Sequence, residues 1–316
     1  MEIETLKRCG VCCSDRIAHV DPENRICRCK RCGYVFDNPR PTFAEIVSLY
    51  SRAEQYDPWL VDEAARTRMW QRRLAIIRRH RSSGTLLDIG TGTGQFLALA
   101  KKHFEVRGTE ISTSGARIAR DRYGIEVLQG RIEDINVDSR FDVITMFHVL
   151  EHVPNPSSTI RKCRELLNEN GALVVAVPNE ISRPRSIVRR WCGSLGAKRF
   201  RTPYFSGLTR LHCDGSLNEI HLSHFTPAVL KRLLGEHGLA TVSCLPDPYY
   251  VCSEGHEETS ARKRYRYFLA ISTVLGLNFY DTILAVARPH SRSTCTCRAS
   301  PTTRLGPGPE STGSNR

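Results

Sequence analysis

Asp88-Ile89-Gly90-Thr91-Gly92-Thr93-Gly94 is the stretch on which the fold turns. Thr85-Leu86-Leu87 runs into Asp88-Ile89 as a buried strand, and Gln95–His103 beyond it reads as a helix. Glycines at such a junction let the backbone turn sharply and approach a ligand, while the amides of the following helix face that ligand. Dinucleotide-binding loops space their glycines as G-x-G-x-x-G, and here the third glycine falls one residue early. The P-loop reading fails, because no Lys-Ser/Thr pair follows. The next predicted strand, Glu105–Glu110, ends in an acid 22 residues after Asp88. A carboxylate there can accept hydrogen bonds from both hydroxyls of a ribose.

Outward from this loop, strand and helix alternate. Ser112 is placed to cap a helix reaching Tyr123. Ile125–Leu128, Phe141–Phe147 and Gly171–Val177 read as strands, with a helix over Pro156–Leu167 between the last two. Their continuous apolar runs suit parallel strands covered by helices on both faces. Thr226-Pro227 is a capped helix start, and Gly238 is placed to stop that helix. Leu239–Leu245 and Asp281–Ala287 supply two further strands. Before the loop, Ala64–Arg79 carries apolar residues at helical spacing among many arginines.

With these residues in place, the sequence resembles class I S-adenosylmethionine (SAM) dependent methyltransferases over about residues 80 to 178, and more loosely to 288. The resemblance implies an α/β fold, a Rossmann-like seven-stranded sheet with helices on both faces. Asp281–Arg288 would be its antiparallel closing strand. It implies SAM as cofactor, with Asp88, Gly90, Gly92 and Gly94 around the methionine portion and Glu110 on the ribose. The adenine segment of relatives often reads Gly-Asp-x-Glu; here it is Gly130-Arg131-Ile132-Glu133-Asp134, with Arg131 where the acid is usual. Ile132 is then expected to pack on the adenine, and Glu133 or backbone groups to make the polar contact. Met146–Val153 is similar to the segment ending the fourth strand in small-molecule members of the class. That likeness puts Phe147 and His148 at the cofactor pocket, with Glu151 and His152 orienting the loop or facing the acceptor.

Of 13 cysteines, six fall within the first 32 residues. Cys9-Gly10-Val11-Cys12 and Cys29-Lys30-Arg31-Cys32 are two C-x-x-C turns separated by 16 residues, a ligand set suited to tetrahedral zinc. Gly10 and Gly33 fit tight turns there. Cys13 and Cys27 leave open which thiols bind, and an iron–sulfur centre is the alternative. The segment looks like a zinc ribbon. With four protein ligands it has no open position for water, so the zinc is expected to be structural. Together with Asn38-Pro39-Arg40-Pro41 and Leu49-Tyr50, it resembles the N-terminal part of bacterial methyltransferases that modify saccharides, lipids and secondary metabolites. Cys163, Cys192, Cys213 and Cys244 read as buried or incidental thiols.

The expected organisation is a ribbon over 1–40, a linker and helical segment over 41–80, a methyltransferase domain over 81–288 and a disordered basic tail over 289–316. Residues 179–225 form the acceptor-side insertion, which offers Tyr204, His212, His221 and His224. His221 or His224 is expected to act as base or acceptor ligand, with His148 as a further candidate. Spacing shows no third ligand beside them, so no second metal is expected. Arginines from Arg183 to Arg201 suit a phosphorylated or carrier-linked small-molecule acceptor, or else a solvated helix face.

Composition sets the outer bounds. Hydrophobic residues at 40% and charged residues at 25% exclude a wholly disordered or fibrous chain. The net charge of +13 draws polyanions and, with the ribbon, keeps nucleic-acid methylation in view. Against it, Val177-Pro178-Asn179 stands where base amino-methyltransferases carry an aromatic-proline motif. A non-catalytic SAM- or zinc-binding interaction protein is the other class. The opening Met1–Leu6 is too polar for a secretory signal and no run is long enough for a membrane span, so a cytoplasmic protein is expected. Phe268–Ala287 is the most apolar stretch, broken by Asn278 and Asp281. Oligomeric state has no signature in the sequence.

Overall fold

The computed structural model describes residues 2–22, 25–51, 63–182, 186–188, 191–192, 208, 220–247 and 256–290. The arginines between Arg183 and Arg201, Tyr204, His212, Cys213 and the tail from 291 lie outside the described residues.

Seven strands form the main sheet: β6 (Thr85–Ile89), β7 (Glu105–Glu110), β8 (Val127–Gln129), β9 (Phe141–Phe147), β10 (Leu167–Pro178), β12 (Leu239–Leu245) and β13 (Thr282–Pro289). Their order is β12-β13-β10-β9-β6-β7-β8. The pairs β10–β9, β9–β6, β6–β7 and β7–β8 are parallel, whereas β13 runs antiparallel to β10 and β12. This is the Rossmann-like sheet of class I methyltransferases. Its central strands are apolar because both faces are covered: Val174, Val175, Ala176 and Val177 of β10 are fully buried.

Helices α2 (Glu63–His80), α3 (Gln95–Ala100), α4 (Thr113–Tyr123), α5 (Pro156–Leu166) and α6 (Pro227–Glu236) cover the sheet. Three start on side-chain caps, two of them, Ser112 and Thr226, expected from the sequence. Ser112 accepts from Gly115 N–H, Asn155 from Ser158 and Thr226 from Val229. Helix α3 stops at Ala100, short of the predicted His103, in a turn over Lys101–His103. A long α7 (His256–Leu275) precedes β13, and Asn278 and Asp281 lie in the connection between them. No helix among the described residues is long and apolar enough to cross a membrane.

The N-terminal residues form β1 (Ile3–Glu4), β2 (Ile17–Asp21), β3 (Ile26–Cys29), β4 (Val35–Asp37) and β5 (Arg40–Pro41), followed by α1 (Phe43–Tyr50). The second sheet is β11-β4-β3-β2, and its edge strand β11 is Ser223–His224, brought in from nearly two hundred residues downstream. Tyr34 of the ribbon stacks on Phe36 at 5.1 Å, lies 5.8 Å from Phe225, and bonds through its hydroxyl to Ser223. One continuous core runs from Val11 and Phe36 through Phe225 to Leu150 and Ile160. The N-terminal sheet is thus packed into the same core as the main sheet.

Among the glycines, Gly94 shows what the early third position is for. It has φ 83°, and a Cβ there would lie 2.8 Å from the Ala119 Cβ of α4. Gly94→Ala therefore combines left-handed strain with overpacking and should lower the unfolding free energy by about 2–4 kcal/mol. Gly235, inside α6 with open space around it, is the control. Gly235→Ala should raise the unfolding free energy by about 0.5–1 kcal/mol. Urea unfolding of both variants checks the pair.

Candidate functional site

At the C-terminal ends of β6, β7 and β9, the parallel strands open onto a cavity of about 500 Å³. This is where open α/β sheets bind ligands. Gly90 and Gly92 line it with φ 71° and 56°. A Cβ on Gly90 would sit 2.4 Å from Val149, so the loop packs directly under the segment after β9. Gly94 lies behind the cavity wall, against α4.

Asp88 and Glu110 both border the cavity and are both buried. The Asp88 carboxylate accepts from Thr145 Oγ1 at 2.6 Å. Burial pushes its pKa up to about 7, against the pull of that bond. Glu110 accepts from the Gly92 N–H at 2.7 Å and the Ser112 N–H at 2.9 Å, which clamps the glycine loop to the start of α4.

On the far wall stand Gly130, Arg131, Ile132 and Glu133. Arg131, the departure from the family pattern, lies 4.6 Å over the Phe43 ring of α1. It also pairs with Glu133 at 3.5 Å and Asp134 at 3.6 Å. Glu133 accepts from Thr159 Oγ1 at 2.5 Å. The arginine thus ties α1 over the cavity, and its charge is met within its own segment. Ile46 and Tyr50 of the same helix add to this roof.

Trp70, Phe96 and Phe147 cluster at centroid distances of 5.0–5.6 Å and give the cavity an aromatic side. Arg73 of α2 lies within 5 Å of two of these rings and is bonded through its guanidinium to buried Asp247. Neither Arg73 nor Asp247 had a sequence signal, since they pair across 174 residues. His148 follows β9 at φ 55°, a conformation that costs a non-glycine residue energy and that clusters at functional sites. Its Nδ1 is 3.3 Å from Glu151, and its Nε2 is 3.7 Å from Asp247. Burial works to lower its pKa, but the two carboxylates outweigh that and hold it up at about 9.

His221 and His224 lie behind the cavity lining, both buried. Glu180, two residues past β10, receives His221 Nδ1 at 3.2 Å and His224 Nδ1 at 2.6 Å. His224 Nε2 reaches Asp37 of β4 at 3.2 Å. Both nitrogens of His224 are therefore engaged, and its pKa is held up at about 9 because Asp37 and Glu180 outweigh its burial. It has no basic nitrogen to offer a substrate. Glu151 and His152 bring a second group to His221: one donor atom from each of the three lies within 4.8 Å of the others. Sequence spacing showed no such third ligand.

In the ribbon, Cys9, Cys12, Cys29 and Cys32 converge, with Sγ–Sγ distances of 3.5 Å for Cys9–Cys32 and 3.6 Å for Cys12–Cys29. A tetrahedral thiolate site with metal–sulfur bonds of about 2.3 Å has edges of about 3.8 Å, so the quartet fits such an ion. The two turns match one another. Cys9 N–H donates to Ser14 O and Cys29 N–H to Tyr34 O, while Cys13 and Gly33 donate back to Cys9 O and Cys29 O. The left-handed position falls on Cys13 (φ 54°) and Gly33 (φ 78°), not on Gly10. Cys27 lies outside the quartet, its sulfur 3.2 Å from His19 Nδ1.

The histidine pairs predict a pH dependence. His148 and His224 have folded pKa values raised from 6.5 to about 9. Their contribution is complete below the unfolded value and is lost as pH rises through the folded one. The unfolding free energy should fall between pH 6.5 and 9, and His224→Gln should flatten that decline. Chemical denaturation at pH 6, 7.5 and 9 is the check.

A methyltransferase domain family model matches residues 61–244, more than half of the chain. An uncharacterized protein of Methanocaldococcus jannaschii is 32% identical over 127 residues, covering 40% of this chain and 58% of that protein. The ubiquinone biosynthesis O-methyltransferase of Pasteurella multocida is 32% identical over 120 residues, covering 33% of this chain and 50% of the enzyme. The chain thus spans about half the length of the curated relatives it matches. The solved 1,6-didemethyltoxoflavin-N1-methyltransferase of Burkholderia thailandensis is similar in fold, with a TM-score of 0.51 and 17% identity over 82% of this chain and 96% of that one. By its matched domain, the chain belongs to the methyltransferase domain family.

Proposed function

We propose that this protein transfers a methyl group from SAM to a small-molecule acceptor, and that a structural zinc holds its N-terminal ribbon. The observation that carries the first part is the left-handed Gly90–Gly92 turn clamped to Glu110 at the rim of the cavity. SAM brings the activated methyl on its sulfonium, so the protein's task is to orient and to exclude water. Glu110 receives the ribose hydroxyls, Ile132 packs on the adenine, and Glu133 or adjacent backbone makes the polar adenine contact. Asp88, Gly90 and Gly92 border the methionine portion, and Gly94 keeps the loop in place from behind. Phe147 and the Trp70 ring form the apolar wall, and His148 borders the cavity with its Nδ1 toward Glu151 and its Nε2 3.0 Å from the Arg73 guanidinium.

The acceptor enters from the side of His152 and Tyr50. A saccharide, lipid or secondary-metabolite acceptor, phosphorylated or carrier-linked, agrees with the ubiquinone relative and with the arginines from Arg183 to Arg201. Of the two insertion histidines, His221 is the acceptor-side group, oriented by Glu180, and His224 positions Glu180.

Purified protein incubated with labelled SAM and acceptor pools tests the reading. Transfer to a small-molecule fraction is expected. Label appearing only in RNA or DNA, or tight SAM binding with no transfer, overturns it. Glu110→Gln and Glu110→Ala should each weaken SAM binding. Loss of charge-assisted hydrogen bonds of about 1.5–3 kcal/mol corresponds to about 10- to 100-fold in Kd, measured by calorimetry. For the ribbon, replacing Cys9 and Cys12 with serine should remove one thiolate-bound zinc per chain, read by metal analysis.

A further inference from the structure

We propose that Glu151, His152 and His221 form a second metal site, distinct from the cysteine quartet, that takes a first-row divalent cation such as zinc. Their donor atoms already lie within 4.8 Å of one another. His152 Nε2 stands 3.8 Å from Glu151 Oε1, and the two imidazole centroids are 5.0 Å apart. An ion with metal–nitrogen and metal–oxygen bonds of about 2.0–2.2 Å brings neighbouring donors to about 3–3.5 Å, so small torsional shifts close the site. Two imidazoles and one carboxylate are a donor set for first-row divalent metals and leave coordination positions open.

The surroundings are those of a metal site. Histidines that bind metals hold the second ring nitrogen on a carbonyl or carboxylate, which fixes the tautomer and the ring plane. Both histidines here do so. His152 Nδ1 donates to the Ile220 carbonyl and lies 3.0 Å from the Tyr50 hydroxyl. His221 Nδ1 donates to Glu180. Glu180 is held in turn by His224, and His224 by Asp37 of the ribbon. Glu151 itself is fully buried, with His148 Nδ1 3.3 Å and His152 Nε2 3.8 Å from its Oε1, and neither carboxylate oxygen accepts an aligned hydrogen bond among the described residues. Direct coordination to a cation would add to the matching of that buried charge. The backbone is shaped to match: the Glu151 carbonyl accepts from Leu222 and Ser223, which pins the His221 segment against the Glu151–His152 turn. His152 also lines the cavity, so the ion would stand at its acceptor-side edge. This gives the acceptor-side histidine of the proposed function its task, but the site rests on its own geometry and not on SAM binding.

Cobalt(II) is the probe. The full-length protein, stripped of metal and shown folded by circular dichroism, is titrated with Co²⁺ while its absorption is followed. The expected result is about two equivalents per chain: one with intense thiolate-to-cobalt charge transfer, the other with weak visible bands and no sulfur signature. His152→Ala and His221→Ala should each remove the second equivalent and leave the first. Glu180→Gln removes no ligand but loosens the hold on His221 Nδ1, and should weaken the second site about 10- to 100-fold. A folded wild-type protein that takes up only the thiolate-bound equivalent overturns the proposal. So does a second equivalent that survives both histidine variants. SAM affinity, measured on the same samples without added metal, reports separately on the methyl-transfer reading.

Discussion

Between His221 and His224 lies the carboxylate of Glu180, buried where β10 runs out, and His224 passes the contact on to Asp37 of the ribbon. Three distant parts of the chain meet on this one line: the end of a central strand, the segment that re-enters at Ile220, and strand β4 of the N-terminal sheet. Each charge on it is met by a neighbour. Burial alone would raise the pKa of Glu180, but the two histidines hold it well below the usual carboxylate range. Taking away one member would leave the others buried and unmatched, which costs more than the intact network contributes.

The ribbon's attachment follows from that line. A short cysteine-rich segment has too little core to fold by itself, and metal supplies what the core does not. Here the ribbon also borrows a strand, Ser223–His224, and an aromatic partner, Phe225, from the main domain. The two residues that complete the N-terminal sheet lie two and three positions beyond His221, the histidine turned toward Glu151. The fold around the cysteine quartet and the placement of His221 are therefore mechanically joined.

The cofactor side is organised by different physics. Glu110 fastens the glycine loop through two backbone amides, and the loop's left-handed residues leave room for Val149 and Ala119. Arg131, which breaks the pattern of relatives, lies on Phe43 and is matched by Glu133 and Asp134. The substitution couples the Gly130–Glu133 wall to α1, and so to the roof of the cavity.

Much of this was legible in the chain. The glycine loop, the acid ending β7 and the caps at Ser112 and Thr226 are local matters, set by backbone torsion and by donors only two or three residues away. The apolar runs of β9 and β10 announced strands covered on both faces, and the paired C-x-x-C turns announced a thiolate quartet. Other features have no local cause. The order of the strands, the entry of β11 into the ribbon, the Arg73–Asp247 pair and the meeting of Glu151 and His152 with His221 all join residues tens to nearly two hundred positions apart. Spacing between histidines could not reveal the third donor, because it arrives from the turn after β9 while His221 comes back from the far side of the insertion. Such contacts are fixed only when the sheet closes and the ribbon docks, since it is burial of the shared core that brings their side chains within reach.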